Sequence, residues 1–306
     1  MQMVLVLMIM NKKKVNGILL LNKPQGISSN SALQKAKKIF QAQKAGHTGS
    51  LDPLATGMLP ICFGEATKIC QYLLDADKCY ASTGLLGFKT TTADAMGEII
   101  ARAEQVNITT QQLEEVLSQY TGHLKQVPSM FSALKHQGVP LYKLARAGKE
   151  VVRPARDIVI KQLELIAFQD HHFSLRVVCS KGTYIRNLVE DIGDALQVGA
   201  HVTQLHRVYT AGFEQEPMFS LEQLQLMSEE EQQACLIPMD KAVTYLPAIS
   251  LSDEEVLLLR QGRVIAGKKL EDQVECVRLY DEQNQFIGLG EQQYNGDLKA
   301  KRLLSF

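Results

Sequence analysis

The stretch AGHTGSLDPLATG (residues 45–57) sets one carboxylate, Asp52, between glycine-bracketed turns, with His47 five residues upstream. Glycine admits backbone conformations closed to other residues, and Pro53 fixes φ directly after the acid. Such a loop can hold a carboxylate rigidly beside a ligand, although Asp before Pro is also an ordinary turn opening. The D-x-x-x-T spacing of DPLAT has the form of a phosphorylated aspartate, but that chemistry needs a buried strand before the acid and magnesium ligands nearby. AGHTGSL is no strand, and no acidic cluster accompanies it. The competing chemistry is a nucleophile or acid–base acting on RNA, and the charges around Asp52 bear on it. The fifty-one residues before it carry eight lysines and no acid.

The chain as a whole is neutral, with 33 basic and 33 acidic residues, so the basic character is local. Residues 121–156 carry seven Lys/Arg against Glu150 alone, and residues 213–240 carry seven acids and no base. A polyanion needs a local positive surface, which a net charge of zero conceals. Length (306 residues) predicts about two domains, and 45% apolar content is that of a soluble globular protein. The six cysteines, at 62, 70, 79, 179, 235 and 276, include no C-x-x-C pair and read as reduced thiols of a cytoplasmic protein. The opening MQMVLVLMIM is half a membrane span, and its NKKK follows the apolar run where a secretory signal has its charges first. Residues 1–14 are therefore expected to be a disordered or loosely docked extension.

The elements that must position Asp52 follow from periodicity. Residues 15–22 read as a strand stopped by Pro24 and Gly26, and SSNSALQKAKKIFQA as a helix with Ser29 at its N-cap. MLPICFG, CYASTGLLGF, DIVIKQLELIAF, FSLRVVCS and HVTQLHRVYTAGF read as strands, and TTQQLEEVLSQYTG and the end of KGTYIRNLVEDIGDALQ as helices. Residues 123–156 show little periodicity and read as a basic arm or long connection. Residues 213–240 read as a helical, surface-lying connector. Beyond residue 245, one helix (SDEEVLLLRQG) and short strands suggest a small β-rich barrel.

Four stretches, in order, carry a resemblance: GILLLNKPQGISS, GHTGSLDPLATGMLPICFGEATK, QYLLDADKCY and CSKGTYIR. Together they resemble the bacterial tRNA pseudouridine-55 synthases, the TruB family, from about Asn16 to the C-terminus. The resemblance implies an α+β fold: a central mixed, largely antiparallel sheet with flanking helices over 15–244, a basic thumb-like insertion at about 125–156, and a small C-terminal barrel-like PUA domain over 245–306. It implies isomerisation of the T-loop uridine at position 55 of tRNA, with no metal or organic cofactor, by a soluble and monomeric enzyme. A non-catalytic tRNA-binding or RNA-folding protein on the same scaffold is the alternative, against which the presence of Asp52, Tyr80 and Arg186 counts.

By matching positions, Asp52 is the essential aspartate, Tyr80 the active-site tyrosine and Arg186 the arginine paired with the aspartate. Lys23 matches a lysine expected to brace the active-site loop. His47 matches the histidine that fills the space left by the extruded base. Asp94 matches an RNA-contacting acid, Tyr184 is expected to pack beside the flipped base, and Leu205 to line its pocket. An aspartate at its ordinary pKa of about 3.9 is ionised at neutral pH and needs no separate base. It could attack the ribose C1′ or promote loss of a C2′ proton to form a glycal, and the residues leave both routes open. Thr91 stands where the family commonly has Asp, and Leu85 where an arginine is frequent; both departures touch RNA contacts. Lys268, Lys269, Lys299, Lys301 and Arg302 would give the C-terminal domain its own RNA surface.

Overall fold

The chain folds around an eight-stranded mixed sheet that is cut by the Asp52 loop; the computed structural model describes residues 12–268 and 274–305. In chain order the larger part contains β1 (Gly17–Lys23), α1 (Ser29–Ile39), β2 (Ala45–His47), β3 (Thr56–Phe63), α2 (Cys70–Asp75), β4 (Lys78–Leu86), β5 (Phe88–Thr90), β6 (Ile99–Arg102), α3 (Thr110–Ser118) and β7 (Gly122–Gln126). There follow β8 (Lys135–His136), β9 (Val139–Pro140), α4 (Leu141–Arg146), β10 (Arg156–Gln169), β11 (His172–Cys179), α5 (Ile185–Ala195), β12 (Ala200–Thr210), α6 (Leu221–Leu226) and α7 (Glu229–Ala234). The strands run β1-β3-β12-β4-β11-β10-β7, with β2 on β3. All these pairings are antiparallel except β3 with β12, which meet in parallel over only two residue pairs, His206 with Thr56 and Arg207 with Gly57. This short seam lies directly after the Asp52 loop.

β1 shows no alternation because both of its faces are buried. Leu19 and Leu21 join Leu59, Ile61 and Phe63 of β3, with α1 and α5, in one core. Ile18 and Leu20 join Met58 and Cys62 in a second core, shared with Val243, Tyr280, Phe286 and Leu289. The six cysteines are free thiols, and no helix among the described residues is long and apolar enough to cross a membrane.

Several local readings need correction. The N-cap of α1 is Ser28, whose side chain accepts from the Ser31 N–H; Ser29 instead turns inward to the Asp52 loop. Residues 213–240 are not merely a surface connector. Leu221 and Leu224 of α6 enter the core, and Phe219 and Ile237 exchange backbone hydrogen bonds with β1, covering the open edge of the sheet. The basic insertion carries structure of its own, the β8–β9 hairpin and α4. Residues 1–11 of the expected extension lie outside the described residues, whereas Lys13 is docked, its N–H donating to the Gln41 carbonyl at 2.7 Å.

The C-terminal sheet, β13 (Ala248–Ser250), β14 (Cys276–Tyr280), β15 (Phe286–Gln292) and β16 (Leu298–Leu303), follows that order, with α8 (Asp253–Arg260) beside it. It is open rather than a closed barrel among the described residues. β13 has three residues and pairs in parallel with β14 alone, too short an element to close the sheet onto β16. Its inner face forms a third core around Val277, Leu279 and Leu298.

Candidate active site

Asp52 is clamped from both sides by the start of α1 and the turn before it. The Ser29 hydroxyl donates to the Leu51 carbonyl (2.9 Å) and accepts from the Leu51 N–H (2.7 Å). The Gly26 N–H donates to the Pro53 carbonyl at 2.8 Å. Lys23, wholly buried, donates its ammonium to the carbonyls of Pro24 and Ile27 at 2.9 and 2.8 Å, fixing that turn. At the loop's exit, Thr56 Oγ1 lies 2.8 Å from Nδ1 of His206. Gly57 follows with φ +96°, and a Cβ there would stand 2.3 Å from the Arg207 carbonyl oxygen, so this crossing accepts only glycine.

Arg186, 3% exposed at the start of α5, is the hub of the site. Its Nε lies 2.8 Å from Asp52 Oδ2 and its Nη1 lies 3.6 Å from Asp94 Oδ2. The Nε–H is not aligned on a hydrogen-bond acceptor, so the contact with Asp52 is an ion pair rather than a directed bond. The guanidinium is held elsewhere by donation to the carbonyls of Thr92 (2.7 Å) and Phe131 (2.9 Å). Asp94 in turn accepts from Thr92 Oγ1 at 2.6 Å and the Met96 N–H at 3.0 Å. The Asp52 side chain keeps 37% exposure, yet the protein around it withdraws enough water to matter. Burial raises its pKa, Arg186 and Lys23 pull it down, Asp94 pushes it up, and the balance lies above the ordinary aspartate value. The sequence-based expectation of an unperturbed carboxylate is corrected accordingly.

Tyr80 is buried on β4, where burial raises its phenol pKa against the opposing charge of Arg207, its cross-strand partner. The charge of Asp52 is felt at Lys23, Tyr80 and Tyr184. Tyr184 occupies the N-cap of α5, and burial raises its pKa also. Leu205, 7% exposed on β12, lines a groove of about 380 Å³ together with Gln25, Leu54, Thr56 and Ala81. His47 ends β2 and makes no hydrogen bond or ion pair with the Asp52–Arg186 set among the described residues; its Nδ1 is buried without a partner. Burial, then Arg207, lowers its pKa and keeps the ring neutral at pH 7. Lys23 is lowered to about 8, by burial first.

Three residues that sequence reasoning passed over complete the site. Gln126, buried at the end of β7, clamps Tyr184 in both directions: its Oε1 accepts from the Tyr184 N–H at 2.8 Å and its Nε2 donates to the Tyr184 carbonyl at 3.0 Å. Lys78, also buried and lowered to about 8 by burial, donates to the carbonyls of Leu74 and Ala76 at the end of α2. Arg207 donates to the carbonyls of Met58 and Gly49. The one legible signal was a cation at the inward register of β12, two residues beyond Leu205.

Fold and site together define an isomerase of the pseudouridylate synthase class. A family described as "TruB family pseudouridylate synthase (N terminal domain)" matches residues 37–185. "tRNA pseudouridylate synthase B C-terminal domain" matches 186–244, and "Pseudouridine synthase II TruB, C-terminal" matches 247–304. The chain is 61% identical over 296 residues to the tRNA pseudouridine synthase B of Legionella pneumophila (strain Lens), covering 97% of this chain and 98% of that relative. It is 46% identical over 297 residues to the protein of the same name from Mannheimia succiniciproducens, with 96% and 97% covered. A solved Cbf5–Nop10–Gar1 complex contains a similar fold, with TM-score 0.70 and 27% identity over 92% of this chain and 79% of that one. The chain belongs to the TruB family of pseudouridine synthases.

Proposed function

We propose that the protein converts the uridine at position 55 in the T-loop of tRNA to pseudouridine, acting as a monomer in the cytoplasm without metal or organic cofactor. The observation that carries this reading is the ion pair of loop-borne, partly exposed Asp52 with buried Arg186 at 2.8 Å. Residues 15–244 form the catalytic unit and 245–306 a PUA-like RNA-binding unit. Lys35 and Lys38 on α1 and Lys125, Lys135, Lys143 and Arg146 of the thumb are exposed cations suited to phosphate contact. The target uridine is stacked inside the T-loop and must be extruded before its sugar meets the carboxylate. His47, whose pKa burial lowers, fills the gap that it leaves. Tyr80 and Tyr184 stack against the displaced base, and Leu205 closes its apolar side. Arg186 aims Asp52 and keeps it ionised against the desolvation that raises its pKa. The carboxylate then attacks C1′ or takes the C2′ proton, and the freed uracil turns over and rejoins through C5.

Single-turnover reaction with a T-arm stem-loop, followed by nucleoside analysis of the product, tests this reading. Pseudouridine should appear at the target position, and Asp52→Asn should slow its formation by roughly 10⁴-fold or more while stem-loop affinity stays within a few-fold. The acid limb of the wild-type rate profile should lie above the ordinary aspartate value of about 3.9, because activity is lost as pH falls through the raised pKa of Asp52. Tight tRNA binding with no isomer formed would reject the enzyme reading.

A further inference from the structure

Arg207 is the largest wholly buried side chain among the described residues, 1% exposed, and the steps above give it no task. Arg186 has two carboxylates beside it. Arg207 forms no ion pair among the described residues; it donates to the carbonyls of Met58 and Gly49, with the Tyr80 phenol beside it. An arginine stripped of water and left without a counter-charge is costly to keep, and a neutral side chain of similar volume would pack without that cost. The fold compounds it. Lys23 and Lys78, buried and likewise bonded to carbonyls, both feel its charge, so three cations share one low-dielectric floor.

The placement of Arg207 is specific. It lies directly across the β4–β12 ladder from Tyr80, and Nη2 reaches Gly49 (3.0 Å), three residues before Asp52 in the catalytic loop. One side chain thus fixes the strand behind the stacking tyrosine and the turn that leads to the carboxylate. Asp52 offsets Lys23, but among the described residues no carboxylate pairs with Arg207, whose charge is left for a transient anion.

Resting on the functional reading above, we infer that Arg207 is a positioning residue that also supplies the fixed positive field in which the detached uracil is held as an anion. When the C1′–N1 bond breaks, its electron pair leaves with uracil and is shared between N1 and the ring oxygens. At the sugar, either a carboxylate oxygen of Asp52 bonds to C1′, or Asp52 takes the C2′ proton and the C2′–H electron pair closes a C1′–C2′ double bond. In both routes the base carries one negative charge until a C5 electron pair bonds to C1′. That step expels the Asp52 carboxylate from C1′, or, from the glycal, the double-bond pair takes the proton back from Asp52 at C2′. The C5 proton is then lost. Arg207 acts across Tyr80 without touching the base, as preorganised charges do in a site closed to water.

The test uses single-turnover loss of the N-linked nucleoside from stem-loops with uridine or 5-fluorouridine at the target. Fluorine withdraws electrons, so the departing base stabilises its own charge; it blocks the last proton loss and leaves the first cleavage readable. Arg207→Met should slow cleavage of the uridine stem-loop by roughly 100-fold, with affinity within about threefold. That deficit should shrink to about tenfold or less on the fluorinated stem-loop, and Arg207→Lys, which retains charge, should stay within about tenfold of wild type on uridine. Arg207→Gln keeps a donor for the Gly49 carbonyl and carries the same comparison if the Met variant does not fold. Equal deficits on the two stem-loops, or a Lys variant as slow as the neutral ones, overturn the electrostatic role. Failure of the wild type to convert the uridine stem-loop overturns the functional reading and this inference with it.

Discussion

Between β1 and β12 the structure buries four cations, Lys23, Lys78, Arg186 and Arg207, and one acid, Asp94. Between β13 and β16 every described charged side chain reaches water, while Val277, Leu279, Ile287 and Leu298 fill an apolar core. Both parts are sheets with helices beside them, so the contrast does not come from secondary structure. Buried charge costs stability, and the catalytic sheet tolerates it because each group is paired, or hydrogen-bonded to carbonyls. The C-terminal sheet carries no such cost and offers a solvated positive strand, Lys299, Lys301 and Arg302 on β16. One region holds its charge buried and bonded; the other displays it to water.

Removing the hub should sharpen that contrast most. Arg186→Met leaves Asp94 buried without its cation and frees the carbonyls of Thr92 and Phe131. Unfolding titrations should show a loss of about 3 kcal/mol, at the lower end for a broken buried pair because Asp52 remains partly solvated. Pseudouridine formation should fall by roughly 100-fold or more. Gln126→Leu is the next step down. It strips both partners from the Tyr184 backbone, and about 2 kcal/mol of stability should go with them. Because Tyr184 and Arg186 share the first turn of α5, kcat should drop further than KM rises; a change in KM alone would break the argument that Gln126 aims the site.

On the C-terminal sheet the same measurements should give small, different answers. Lys301→Glu should leave unfolding unchanged, weaken tRNA binding several-fold, and reduce the slope of log affinity against log salt by about one or two. A change in kcat would contradict the division of labour. Glu65→Gln probes the joint between the regions, where Glu65 accepts from the Ser305 N–H and pairs with Lys68 at 2.6 Å each. Burial alone would raise the Glu65 pKa, but the Lys68 bond, the Ser305 N–H and the charges of Lys68 and Lys44 outweigh it and hold it below the ordinary value. A depressed carboxylate stabilises fully above its unfolded pKa of about 4.3 and loses that contribution as pH falls through the folded value. The variant should therefore be less stable by about 1 kcal/mol or less near pH 7 and converge with wild type in acid.

The sequence made legible what depends on short-range pattern. β1, β3, β4 and β12, the helix carrying Arg186 and the charge segregation follow from periodicity and composition, and the motifs carried the candidate site residues, whereas β2 (Ala45–His47) lies in AGHTGSL, which reads as no strand. What escaped depends on long-range pairing. Gln126 sits 58 residues from the backbone it clamps, and Arg207 is bonded to a carbonyl 158 residues away. Nothing in HLKQVP or LHRVY announces such partners. The barrel expectation failed for a related reason: alternation reports which residues face a core, whereas closure depends on the length and stagger of the edge strands. Asp52 looked unperturbed because its acidity is set first by burial and then by Arg186, Asp94 and Lys23, all of which arise only in three dimensions.

β1 and β3 serve two masters. Their odd and even residues belong to different cores, one beneath the catalytic loop and one beneath the C-terminal sheet. Lys68 bonds the Leu303 carbonyl across the same joint. The C-terminal sheet is thus no detachable module on a tether. Without it, the core that holds Ile18, Leu20, Met58 and Cys62 would lose Tyr280, Phe286 and Leu289, so shedding the tail would mean repacking the underside of the larger sheet.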